Sequence, residues 1–109
     1  MTLVEIWWFD SILLDSDTAL PFTSDDDRDA EFNVLNVMTP EEVAELFLAS
    51  CHRSRELTAS LPLETMAARV RPGESVDLRW IYLHMIEEYA RHNGHADLLR
   101  EVIDGATGL

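Results

Sequence analysis

From Val76 to about Asp104 one helical face runs without a break. Leu78, Ile81, Tyr82, Met85, Tyr89, His92, Ala96, Leu99 and Ile103 recur at the spacing of an α-helix. A helix of that length gains most of its stability from neighbours laid along such a face, so this stretch commits the chain to a helical bundle. Ser75 is placed to cap its start, with Asp77 in the favourable first turn, and Gly105 to stop it. Gly94 inside it costs about 1 kcal/mol against Ala, and such a glycine marks close approach of another backbone or a need for room.

Two further helices follow from the same pattern. Thr39-Pro40-Glu41-Glu42 is a strong helix start, with a capping Thr, Pro at the first helical position and an acid three residues after the cap. Val43, Leu46, Phe47, Ser50, Cys51, Ser54 and Leu57 then mark a buried stripe to about residue 60, where Leu61-Pro62 ends it. Residues 2–14 also read as a helix. Leu3, Ile6, Trp7, Leu13 and Leu14 form one stripe, and Val4, Trp8 and Ile12 the other flank. A short helix so apolar all round requires cover on more than one side. Nothing alternates as a strand does, so the chain is expected to be all-α, one domain over residues 1–109, with helices near 2–14, 40–60 and 76–104 packed antiparallel.

Residues 15–38 form a long connection holding the run Asp25-Asp26-Asp27-Arg28-Asp29. Calcium is the sharp reading of that run. The glycine and closing glutamate that an EF-hand loop requires are missing, which favours a solvated acidic loop.

Charge narrows the function. The net charge is −13, and all eight basic residues are Arg. Such a surface does not neutralise phosphates, which argues against nucleic acid and against an anionic membrane. No apolar run reaches the ~18 residues of a membrane span, and Glu5 stands where a signal peptide carries positive charge. One cysteine, Cys51, excludes an internal disulfide and suits a reducing compartment, so a cytoplasmic protein is expected. Cys51 lies on a buried stripe and reads as a small hydrophobe, since nothing near it in sequence lowers its pKa.

The chemistry-bearing constellation is His84-x3-Glu88-x3-His92-x2-His95. At about 100° per residue, Glu88 and His92 share a face and His95 lies close to the same line, on the stripe expected to face the core. His84 lies one turn earlier, toward the flank, and Glu87 points to solvent. A carboxylate and an imidazole at i and i+4 converge without backbone strain and suit a divalent metal such as Zn, Ni, Mn or Fe(II). The plain alternative is a set of polar residues satisfied by Arg91, Arg100 or a core hydroxyl.

The segments Leu78-Arg79-Trp80-Ile81, His84-Met85-Ile86-Glu87-Glu88 and Ala90-Arg91-His92-Asn93-Gly94-His95-Ala96-Asp97-Leu98-Leu99-Arg100-Glu101, closing on Ile103-Asp104-Gly105, resemble the last helix of the DinB-like four-helix-bundle superfamily. The chain is most similar to an actinobacterial branch, whose pattern Leu3-Val4-Glu5-Ile6-Trp7-Trp8-Phe9 and the acidic loop also match. The resemblance implies a bundle with a divalent metal held by a His on the second helix and a His-x3-His or Glu-x3-His pair on the fourth. It also implies transferases or isomerases that use a thiol such as mycothiol or bacillithiol. Carried over, Glu88 and His92 are the fourth-helix metal pair, with His95 and His84 beside the site. The chain departs from the family at its start, where a first helix and the metal His are expected and Met1 stands instead. His52 and His84 are poorly placed to substitute. The expected fold is therefore an incomplete bundle of about three helices with two of three ligands. The expected function is a metal- and thiol-dependent transferase or isomerase. Set against it are an inactive short form and a non-catalytic helical association module. A homodimer is expected, its interface covering Leu3, Ile6, Trp7, Trp8, Leu13, Tyr82, Met85 and Tyr89.

Overall fold

A computed structural model of the chain describes residues 1–27 and 29–108, with backbone alone for 34–36, so Arg28 of the acidic run lies outside the described residues. The described residues form an all-α, incomplete bundle of three main helices and no strand; one isolated bridge joins Met66 and Asp77.

The first helix, α1, covers residues 2–14. An α-helical turn, Thr2–Glu5, passes into a π-helical stretch, Ile6–Ile12, and the Leu13 N–H bonds back five residues to the Trp8 carbonyl. That wider turn rotates successive side chains away from the face a regular α-helix would bury. The apolar stripe expected of α1 is accordingly corrected. Thr2, Glu5, Phe9, Asp10, Ser11 and Leu13 are buried, while Trp7 and Leu14 are exposed. Two carboxylates thus sit on the inner face of the helix.

The second helix, α2, is Pro40–Thr58, opened by the expected capping box. The Thr39 hydroxyl accepts from the Glu42 N–H at 3.2 Å, and the Glu42 carboxylate accepts from the Thr39 N–H at 2.8 Å. The second of these bonds is the main cause holding the Glu42 carboxyl below the usual carboxylate range. The inner face of α2 is polar: Ser50, Ser54 and Thr58 are buried, and Leu46 is exposed. The Ser50 and Thr58 hydroxyls each donate to a carbonyl three or four residues back on the helix, which satisfies them in the interior.

The third helix, α3, is Leu78–Asp104. It starts two residues later than expected, because Asp77 rather than Ser75 caps it, accepting from the Trp80 N–H at 2.8 Å. It stops at Gly105, whose φ of 74° is the left-handed conformation a glycine adopts without strain. The connection between α2 and α3 is tied to both ends of the core. Ala68 and Arg69 donate to the carbonyls of Leu13 and Ile12, and Leu78 donates to the Thr65 carbonyl.

The apolar core gathers between α1, α3 and the connection that precedes α3: Phe9 and Leu13 of α1, Leu78, Ile81 and Met85 of α3, and Ala67 of the connection. Leu13 and Met85, expected at a dimer interface, are covered within the chain itself. Residues 90–104 of α3 are all exposed. The inner face expected to continue through Ala96, Leu99 and Ile103 is therefore in solvent. Gly94 has nothing within 4 Å of the place a Cβ would occupy, so it serves no close approach among the described residues.

Candidate functional site

Two groups of polar side chains stand out. The first is on the surface of α3. A Glu88 carboxylate oxygen lies 3.4 Å from His84 Nε2, and the other oxygen lies 3.6 Å from His92 Nε2; Arg91 approaches the first oxygen at 3.7 Å. His84 is held by aromatic rings. Trp80 stacks on it at 4.8 Å and 12°, and Trp8 of α1 meets it edge-on at 4.7 Å. The His95 ring lies 5.6 Å from that of His92. Glu88, His92 and His95 therefore share one face. His84, placed on the flank by sequence reasoning, is instead fixed against Glu88. Glu88 is half-buried, whereas His92 and His95 are exposed, because the last buried core residue of α3, Met85, lies about two turns before His92 and nearly three before His95. His52 lies on the outside of α2 beside Glu56, away from this group.

The donor chemistry fits a divalent ion only as a pair. A carboxylate and an imidazole already face each other, and either bonds such an ion in its deprotonated form. Among the described residues no group of three or more His, Cys, Asp and Glu is arranged to hold a metal.

The second group is internal and was missed in the sequence reading. Glu5, only 5% exposed, accepts hydrogen bonds from the Ser54 hydroxyl and the Tyr89 phenol, both at 2.5 Å. The Tyr89 oxygen is also 3.4 Å from the Cys51 sulfur. Because the single phenol proton goes to Glu5, the thiol is the donor in that contact. Burial first, then the bonds to Cys51 and Glu5, pushes the Tyr89 phenol well above the ordinary tyrosine range. These residues border a hollow of about 290 Å³ walled by Phe9, Tyr82 and Met85. A second hollow, about 420 Å³, lies beyond Tyr89, between the start of α1 and the first turns of α2, and Asn93 borders it. Asp10, five residues after Glu5, is 1% exposed and is gripped by Arg53, with Nε at 2.9 and 3.1 Å and Nη2 at 2.6 Å. A signal for both acids was present. A helix read as buried on several sides yet carrying Glu5 and Asp10 must provide each of them with an interior partner.

A small helical bundle with a hydroxyl-lined interior and a carboxylate–imidazole pair on its last helix is the class these features define. The family model of mycothiol-S-transferases matches residues 1–105, and the chain belongs to that family. No curated protein and no solved structure matches it. No helix among the described residues is long and apolar enough to cross a membrane.

Proposed function

We propose that the chain is a divalent-metal-dependent transferase that uses a low-molecular-weight thiol of the mycothiol type in the cytoplasm, with Glu88 and His92 as metal ligands. The observation that carries this reading is the 3.6 Å approach of Glu88 to His92 Nε2 in a member of a thiol-transferase family. A bound Zn, Ni, Mn or Fe(II) ion would lower the pKa of the thiol and present it as thiolate.

The chain's own residues supply the rest. His84, clamped by Trp8 and Trp80, positions one Glu88 oxygen and leaves the other toward His92. His95 stands beside His92 as a proton-handling group at the exposed end. Tyr89 and Asn93, each next in sequence to one of the ligands, border the larger hollow, which is the proposed seat of the thiol's body.

The test is metal analysis of the purified chain after loading with zinc, beside Glu88→Ala and His92→Ala, followed by transfer of mycothiol to an electrophile. The expected result is a bound ion lost strongly in each variant, because a site with few ligands does not tolerate losing one. Equal zinc content in all three proteins would overturn the ligand assignment.

A further inference from the structure

The hollow of about 290 Å³ between the helices has a floor and a rim of opposite charge. On the floor is Glu5, buried, with no cation paired to it among the described residues; its bonds come from two neutral hydroxyls. Asp10, on the same helix and equally deep, has a guanidinium. A carboxylate offers about four acceptor positions, and Glu5 uses two of them. An interior carboxylate left with neutral partners retains a strong pull on a cation, because the surrounding protein screens charge weakly. The walls favour the same guest. Phe9, Tyr82 and Tyr89 present aromatic rings and Met85 a thioether, a lining that attracts an organic cation and accepts an apolar body. At the mouth stands Arg55, exposed, which makes no ion pair among the described residues. Arg55 repels a simple cation and suits an anionic group at the outer end of the guest.

We propose that this pocket binds a small zwitterion with an apolar body, its ammonium group on Glu5 and its carboxylate on Arg55. The volume lies just under the ~300–1,000 Å³ of drug-sized small-molecule sites, the scale of an aromatic amino acid. Glu88 and His92 do not line this pocket, so the proposal stands apart from the metal reading.

The experiment is calorimetric titration of the full chain with three probes on one carbon frame: L-phenylalanine, 2-phenylethylamine and 3-phenylpropionate. Phenylalanine is expected to bind tightest and phenylethylamine several-fold more weakly, with phenylpropionate at least about tenfold weaker than phenylalanine. Glu5→Gln should weaken both amines by about tenfold or more. Arg55→Ala, at an exposed position that the fold does not depend on, should abolish the advantage of phenylalanine over phenylethylamine. Equal binding of all three probes, no binding of any, or an Arg55→Ala protein that keeps the wild-type order would overturn the proposal.

Discussion

Glu5 and Asp10 lie five residues apart on α1 and both are withdrawn from water, yet their surroundings have little in common. Asp10 meets the guanidinium of Arg53 across α2 and accepts a longer bond from the Thr18 hydroxyl at 3.3 Å, and its backbone carbonyl accepts from the Ser16 N–H. It ties α1, α2 and the chain leaving α1 into one knot, and its charge is matched. Glu5 is met by Ser54 and Tyr89 instead, beside an open hollow. A paired carboxylate is a fastening; a carboxylate held only by neutral donors is a partly unspent acceptor. The π-helical stretch between them lets one short helix present both inward, which a regular turn would not.

The harshest way to break this contrast is to remove what stands between the two acids. Phe9, 3% exposed, packs against Tyr82 at 5.6 Å and walls the hollow. Phe9→Ala should destabilise the protein by about 3–5 kcal/mol through lost burial and the cavity left behind, read as a lower urea midpoint. Next comes the fastening itself. Arg53→Ala leaves Asp10 buried without its cation. Because the Arg53 side chain is half-exposed, the loss should fall below that of a fully buried pair, at about 2–3 kcal/mol. Asp10→Asn together with Arg53→Ala should recover part of it, and a double variant worse than the single one would show that Asp10 does not depend on Arg53.

The smallest effect sharpens the Glu5 end. Tyr89→Phe removes one of the two donors and should cost about 1–2 kcal/mol at neutral pH. Its signature is alkaline. The fold holds the Tyr89 proton above the ordinary tyrosine range, whereas the unfolded chain releases it near pH ~10. The unfolded state then binds fewer protons than the native one, so this contribution is complete below pH ~10 and is lost as the pH rises beyond it. Unfolding midpoints measured from pH 8 to about 11 should fall more gently for Tyr89→Phe than for the wild type. Parallel curves would mean that the phenol is no better protected in the fold than outside it.

Much of this was legible in the residues themselves. The three helices and their order, the Thr39 capping box, the stop at Gly105 and the shared face of Glu88 and His92 are local matters. They follow from spacing, from backbone donors that need a partner and from a glycine's freedom at positive φ, none of which requires a distant residue. The family, too, was readable from the pattern of α3 and the start of α1. Tertiary structure decided what each helix turned inward and where the core stopped. The face of α1 depended on a π-helical stretch that periodicity does not reveal. The pairing of Asp10 with Arg53 and of Glu5 with Ser54 and Tyr89 joins residues 43 to 84 positions apart, and only packing brings those together. His92 shares its face with Met85 and Tyr89 and still lies in solvent, because burial depends on a neighbour packed over the face, and the buried core of α3 stops at Met85.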